Sequence, residues 1–542
     1  MKLVSKDLND PQSFISKYIN EDKLLMDFYD YSLSIEDLHK RYGELSNRNY
    51  QRAELVVALT DYNKKYTSSE KTFSQINRLL SDDTVVLVGG QQTGVLSGPI
   101  YTPNKIISIL HYAETMEQQL NKPVIPIFWL AGEDHDVDEI NHTYVHHGSY
   151  VKKVRILERN DIKTPASERK IPRAEALEMI KTMFRSLRET EQTPELYQSL
   201  VRDLDKELTY VDWCSLILHR LFKDTGIILM DAHDPQIRAL EKPYFKDMIK
   251  KNNIIREEFL SGANRFKLAG FGEPIEMDEV NAHLFFHEQK QRFLLESSGN
   301  IFKEKNGIRS WETLDLLRLF DDDQIELSNN VVTRPIMQDL LLPVIGFMAG
   351  PGELKYWGTL QKVFHTFQIK MPPIIPRLHI SFVSRRTKKN LFWIGVNPDT
   401  VSQRGVQDLK EEWIVKNKST DIQDSFVVVN KTVEDIFLKL GTTIDPFGEE
   451  GKNIHHKYKK IVQDQFAQFE RKLDDLIVGQ LTHGTRRFDE VEAELFPDGN
   501  LQERYLNIYP FLNEYSTDLL QRVVKELRPT MDLKGKHLYI YL

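Results

Sequence analysis

A single cysteine, Cys214, occurs in 542 residues. That excludes an intrachain disulfide and any cage of cysteine ligands around a metal. Cys214 lies in VDWCSLILHRLF, an apolar run with helical spacing. No base stands at a readable distance from it, so it reads as a buried helix residue rather than a nucleophile. Long hydrophobic runs are also missing. The longest, Leu340 to Ala349, is broken by Pro343 and reaches about half of the ~20 residues that a membrane span needs. The first residues, MKLVSKDLNDPQ, lack the apolar region of a signal peptide. Basic charge is not in excess: the net charge is −8, which offers nucleic acid no electrostatic footprint. The expectation is a soluble, cytoplasmic protein with neither nucleic acid nor membrane as a partner.

With 40% hydrophobic and 28% charged residues, the composition excludes disorder as a global state, and the length calls for two or three domains. Residues 1–80 read as helical and polar, periodic around Asn49–Tyr62, with no strand signal. From there the pattern changes. Thr84–Val88, Val124–Leu130, Gly226–Met230 and Val344–Met348 are short apolar runs ending at glycine or aspartate, and Ile374–Val383 offers a fifth. Buried strands alternating with helices predict an α/β fold, a doubly wound parallel sheet. Two segments interrupt it: residues 150–220, charged and helical, and residues 275–310, where HLFFHE, RFLLE and IFKEK form an antiparallel meander. We place the core at 1–383, with insertions at about 150–220 and 260–325. A helical region follows at 384–500, then a C-terminal segment, 501–542, whose Lys536–Leu542 docks as a strand or tail. The basic junction Arg385–Asn390 reads as solvated. In 454–480, Val462, Phe466, Phe469, Leu473 and Leu476 alternate steps of four and three, which fits a coiled-coil seam or an ordinary amphipathic helix equally well.

Three stretches carry candidate chemistry. Gly89-Gly90-Gln91-Gln92-Thr93-Gly94, continuing to Pro99, follows a buried strand and precedes a helix, where ligands bind in such sheets. It has no Lys-Ser/Thr pair, so it is not a P-loop; it is either a binding loop or a tight turn. Glu133-Asp134-His135-Asp136, extended by Asp138 and Glu139, runs straight off the second strand. Crowded carboxylates beside a histidine suit acid–base work. A divalent-metal loop and a solvated helix start remain alternatives, although Ile140 stands where a calcium loop needs glycine. The third stretch joins Asn330 and Arg334 to Gly350-Pro351-Gly352-Glu353 and the aromatic pair Tyr356-Trp357. Arg334 suits a carboxylate or phosphate clamp or a structural ion pair. Glu353 reads equally as ligand or helix cap, and the aromatics as stacking platforms. Asp231-Ala232-His233-Asp234-Pro235 either borders the same cleft or forms a capping turn.

The stretches GGQQTGVLSGPIYTPNKIISI, PVIPIFWLAGEDHDVDEIN, NNVVTRPIMQDLLLPVIGFMAGPGELKYWG and MPPIIPRL strongly resemble the bacillithiol biosynthesis cysteine-adding enzyme family, BshC. The match runs through most of residues 1–383; beyond 384 it rests on length and helical character. The resemblance implies a Rossmann-like core with two connecting-peptide insertions, akin to class I aminoacyl-tRNA synthetases. It also implies a C-terminal α-helical coiled-coil domain that pairs two chains into a homodimer. The implied reaction adds L-cysteine to the amine of glucosaminyl-malate to give bacillithiol. One departure stands out: Gly90–Gly94 occupies the place of the HIGH motif of those synthetases, and neither a KMSKS counterpart nor a cluster of zinc ligands is present. ATP or ADP is the candidate nucleotide, another donor stays open, and no metal is expected. In this reading His135, aided by Asp134 or Asp136 and neighboured by Glu133, is the base. Gln91, Gln92, Asn330, Arg334, Glu353, Tyr356 and Trp357 bind substrate, and Gly89, Gly90, Thr93 and Gly94 hold the nucleotide. A metal-assisted hydrolase or deacetylase, or a nucleotide-binding dimeric scaffold without chemistry, are the alternatives.

Overall fold

Five apolar runs, buried on both faces, form a parallel sheet in the computed structural model, which describes residues 1–542 apart from 9, 11, 159–161, 419–421, 528–530 and 532. Across the sheet the strands are Ile374–Pro376, Val344–Ala349, Val85–Gln91, Val124–Leu130 and Ile228–Asp231. By chain order the sequence from the far edge is third, second, first, fourth, fifth, the Rossmann order. Its switch point lies between Val85–Gln91 and Val344–Ala349, where ligands bind beyond the carboxyl ends of strands. The helix Tyr101–Leu120 returns from the first strand with Ile106, Ile107, Leu110 and Met116 buried. It stops at Asn121, which takes the left-handed conformation (φ 51°) that asparagine tolerates.

The first strand is longer than its apolar run predicts. Gly89 and Gly90 lie within it rather than in a turn. A Cβ on Gly89 would meet Ile109 and Met348 at 2.9 Å, and one on Gly90 would meet the Trp129 carbonyl at 2.8 Å. These glycines let helix and neighbouring strands close on the sheet. The expected fifth strand is two. Pro376 has no N–H to continue a ladder, the Arg377 N–H bonds Ala349 O, and His379–Val383 enters another sheet. There Lys536–Tyr541 lies between His379–Val383, parallel, and Lys2–Asp7, antiparallel. The Lys2–Asp7 strand escapes the sequence reading because its burial alternates weakly and its partner is the far end of the chain.

The insertions differ in kind. Residues 150–220 hold a strand, Tyr150–Arg155, and helices Arg173–Arg185, Thr193–Asp203 and Tyr210–Leu221. Cys214 is buried in the last of these, and burial pushes its thiol up to about 12. The second insertion is an antiparallel sheet ordered Ser310–Glu312, Ile301–Glu304, Gln291–Ser298, Asn281–Glu288, Glu326–Asn329.

Two compact units emerge, Met1–His147 with Val151–Ser384 and Asn500–Leu542, and Gly148–Tyr150 with Arg385–Gly499. In the second, the helices Gln423–Ile444 and Gly448–Gln480 pack together, with Phe426 edge-on to Phe469 at 5.6 Å. The basic junction is not merely solvated. It begins the helix Arg385–Ile394, and Arg386 and Asn390 bond the buried carboxylate of Glu490.

In the first unit, Glu503 from the C-terminal segment is fully buried and accepts from Arg377 Nη1, His379 Nδ1 and Asn104 Nδ2, each at 2.7 Å. Burial pushes this carboxyl up, but Arg377 and His379 outweigh it and hold it well below the ordinary range. A depressed carboxyl stabilises the fold above its unfolded pKa and loses that contribution as pH falls through the folded value. Glu503→Gln should therefore cost about 3–5 kcal/mol of stability near neutrality by leaving Arg377 uncompensated. In denaturation melts the gap from wild type should narrow as pH drops below about 4.3; a gap that stays constant would contradict this account.

Candidate active site

A cleft of about 660 Å³ opens at the switch point, within the range of small-molecule sites. Its floor is the end of the first strand: Gly90, Gln91 and Gln92. Below it the ammonium of Lys105, only 1% exposed, donates to Gly90 O at 2.7 Å, Gln91 Oε1 at 3.2 Å and Glu353 Oε2 at 2.5 Å. Burial lowers the Lys105 pKa against the pull of Glu353. Glu353 Oε2 also accepts the Gly350 N–H at 2.7 Å, so the carboxylate that reads as ligand or helix cap does cap its helix and pairs with Lys105 as well.

On one side stands the acidic turn. Asp134 Oδ1 accepts the backbone N–H groups of His135 (2.7 Å) and Asp136 (3.3 Å), while Oδ2 accepts from Gln92 Nε2 at 2.7 Å. Asp136 is exposed, outside the cleft lining, and caps Asp138 N. Neither carboxylate is bonded to the His135 ring, so the expected orienting pair is replaced by an Asx-type turn. The ring sits edge-on to Phe285 at 6.0 Å with Nδ1 enclosed and unpartnered. Burial and Arg292 hold the His135 pKa below its ordinary value, against Asp134 and Asp136; the imidazole is neutral at pH 7 and free to accept a proton. Glu133 is buried, receives the Asn329 N–H at 3.4 Å and lies 3.5 Å from Arg238.

The opposite side carries Asn330, Arg334 and Tyr356. Asn330 Oδ1 accepts the N–H groups of Val332 and Thr333, and its amide meets His283 Nδ1 at 3.0 Å. Arg334 donates to the Tyr356 hydroxyl at 2.9 Å and to Gln338 at 3.2 Å, over the Phe347 ring.

Besides Asp136, four of the expected residues lie outside the cleft lining. Trp357 is fully buried, stacked on Phe347 at 4.4 Å, because consecutive helical residues point about 100° apart. Gly89, Thr93 and Gly94 are buried and do not line the cleft. The loop beyond them is pinned instead by Asn507 Nδ2, which donates to Leu96 O and Gly98 O. The Asp231–Pro235 stretch is a capping turn: Asp231 accepts from His233 N and Ser167, and Asp234 from Gln236 N.

Sequence reasoning missed Lys105, Arg292, Arg377 and Arg504, all on the wall. Lys105 and Arg377 stand in stretches that carry the family resemblance, GGQQTGVLSGPIYTPNKIISI and MPPIIPRL, a signal that was there to be used; Arg292 and Arg504 come from remote elements. With Arg334 they make five cations against the lining acids Glu133, Asp134 and Glu353. Lys105, Arg377 and Arg292 have carboxylates within 4.0 Å. Among the described residues, Arg334 and Arg504 form no ion pair, which leaves two guanidiniums for an anionic ligand.

Sheet order and cleft together define a Rossmann-like protein with a cleft of small-molecule size, followed by a helical unit. Sequence comparison narrows this. Residues 1–378 match the family model of the bacillithiol biosynthesis BshC N-terminal Rossmann-like domain, and residues 380–542 that of the BshC C-terminal coiled-coil domain. The chain belongs to the BshC family of bacillithiol biosynthesis. Relatives named "Putative cysteine ligase BshC" include one from Bacillus cytotoxicus, 34% identical over 95% of this chain and 96% of its own. Another, from Bacillus cereus (strain Q1), is 32% identical over 99% of both chains.

The split between neighbours in the helix Pro351–Trp357 is testable. Trp357→Ala should cost about 3–5 kcal/mol in a denaturant titration, whereas Tyr356→Phe, which removes one hydrogen bond, should cost about 1 kcal/mol. Equal losses would contradict the placement of the two rings.

Proposed function

We propose that the chain forms the amide bond of bacillithiol, joining the carboxyl carbon of L-cysteine to the amine of glucosaminyl-malate. The observation that carries this reading is one cleft holding two guanidiniums that have no carboxylate partner among the described residues, beside a neutral imidazole. The relatives' name points to cysteine as the acyl donor. Arg334 and Arg504 suit the malate carboxylates or a phosphate. Gly90, Gln91 and Gln92 hold the activated acyl group at the sheet end. A carboxylate is a poor acyl donor, so a carboxylate oxygen of L-cysteine first takes the γ-phosphoryl group of ATP, the donor we propose, with ADP leaving and an acyl phosphate formed. The sugar ammonium gives one proton to His135, through Nε2 since Nδ1 is enclosed, and becomes the nucleophile. The C–N bond forms, the phosphate leaves with the C–O electron pair, and the nitrogen sheds its second proton to solvent. Glu133 and Asp134 steady the imidazolium by charge.

Incubation with L-cysteine, glucosaminyl-malate and ATP, followed by mass spectrometry, should yield the amide, and omission of ATP should abolish it. No amide under either condition would overturn the reading. His135→Ala should lower turnover about a hundredfold or more, and the acid limb of kcat/KM should fall below pH about 6.5, since the depressed imidazole protonates only there. Arg334→Ala should act mainly on KM for glucosaminyl-malate.

The helical unit, we further propose, pairs two chains. Phe469 and Leu476 of the seam are 52% and 63% exposed, and Val427, Val428 and Leu438 on the adjoining helix are exposed as well, an apolar surface that a partner would cover. Sedimentation should give a dimer, and the doubly substituted Phe469→Glu, Leu476→Glu chain a monomer; a monomeric wild type would refute the pairing.

A further inference from the structure

Three side chains meet outside the cleft lining. His233 lies in the turn after Ile228–Asp231, His287 on Asn281–Glu288, and Glu326 at the head of Glu326–Asn329. One ligand-type atom of each lies within 4.8 Å of the other two. The imidazoles stack with centroids 5.2 Å apart and planes 22° from parallel. Their outer nitrogens are engaged, His233 Nε2 with Glu168 Oε1 at 2.9 Å and His287 Nε2 with Ser328 Oγ at 2.7 Å. Both Nδ1 atoms are enclosed without a hydrogen-bond partner, on residues only 8% and 9% exposed. A buried polar atom without a partner is costly, and here two stand together. Protonation of His233 would engage Glu326 Oε1, 3.6 Å from its Nδ1. It would leave His287 Nδ1 unmet, and a second proton would set two cations face to face.

We propose that His233 Nδ1, His287 Nδ1 and a Glu326 carboxylate oxygen bind a divalent cation of the zinc type. Two imidazoles and a carboxylate are a zinc ligand set, and a tetrahedral ion with bonds of about 2.0–2.2 Å spaces its ligand atoms about 3.3–3.6 Å apart. The 3.6 Å between His233 Nδ1 and Glu326 Oε1 already meets this. An Nε2–H donated to Glu168 or Ser328 leaves the lone pair on Nδ1, the outer-shell arrangement that orients metal-binding histidines. Arg238, 3.5 Å from Glu326, opposes a cation, but its charge is shared with Glu241 at 3.0 Å and Glu133 at 3.5 Å. The fourth position falls to water. The ion ties the turn after the third core strand to the inserted sheet. Because Ser328 Oγ also accepts Arg292 Nε–H at 3.0 Å, it steadies a guanidinium on the cleft wall through one hydroxyl.

The site is tested by binding, independently of the ligase reading. The full-length chain, stripped with a chelator and titrated with Zn²⁺ against a chromophoric competitor, should take up one equivalent. Co²⁺ in its place should show the visible bands of a tetrahedral site. His287→Ala should weaken Zn²⁺ binding about a hundredfold or more, and Glu168→Gln about ten- to a hundredfold. Glu326→Gln changes an exposed side chain, so it should keep the wild-type circular dichroism while binding Zn²⁺ about tenfold or more weakly. Less than one equivalent in the wild type, or wild-type affinity in the Glu326 and His287 variants, would overturn the site.

Discussion

The cleft is organised around a buried ammonium. Lys105 sits one turn into the helix Tyr101–Leu120 that follows the first core strand, and its charge is satisfied by two strand-end groups and by Glu353 from the far side of the switch point. A cation taken out of water is tolerable only when its partners are fixed. Fixing them sets the spacing between the two strands that frame the cleft. Glu353 is held in turn by the Gly350 N–H at the start of its own helix. Strand end, helix and glycine turn thus form one connected unit, and the Gly90 backbone can lie against Trp129 only because no Cβ intervenes.

The end of the chain completes this unit. Glu503 meets Arg377 and His379 in the dry interior, and Asn507 clasps the loop carbonyls of Leu96 and Gly98. Arg377 belongs to the cleft wall as well as to this network, and Arg504 follows directly on Glu503. The C-terminal segment therefore supplies one side chain to the wall and the counter-charge for another. Its strand Lys536–Tyr541 is anchored between two strands, so the segment is held at both ends by backbone pairing and buried polar contacts.

How much of this was legible follows from how local each signal is. Val124–Leu130 and Val344–Ala349 announce themselves as apolar runs ended by glycine or an acidic turn, and the parallel sheet follows from their alternation with helices. The Lys2–Asp7 strand has no such run and exists through a partner over five hundred residues away. Of the cleft lining, Gln91, Gln92, His135, Arg334 and Tyr356 are legible because they sit at strand ends or in the turns and helix starts beside them. Trp357 was misplaced because a pattern of aromatics does not say which neighbour faces inward. Gly89 lies off the cleft because a glycine that serves sheet packing looks the same in sequence as one that serves a ligand, whereas Gly94 packs on Gly98 inside its own loop and Thr93 is buried beside it. Arg292 and the His233–His287–Glu326 group lie on elements that meet only in three dimensions, and no spacing in the chain foretells them.

Charge then decides what the cleft can hold. Lys105, Arg377 and Arg292 are offset by acids of the protein itself, so their presence alone does not make an anion site. Arg334 is different: its partners are a phenol and an amide, which orient the guanidinium without neutralising it. Arg504 likewise has no carboxylate at ion-pair distance among the described residues. An anionic group drawn between them would enter a space that also holds a neutral imidazole, kept neutral by burial and by Arg292. Negative charge near that imidazole favours its protonated form. In the proposed reaction the bound anion would therefore strengthen the base as the base is needed, while burial first and Arg292 second hold the His135 pKa down in its absence.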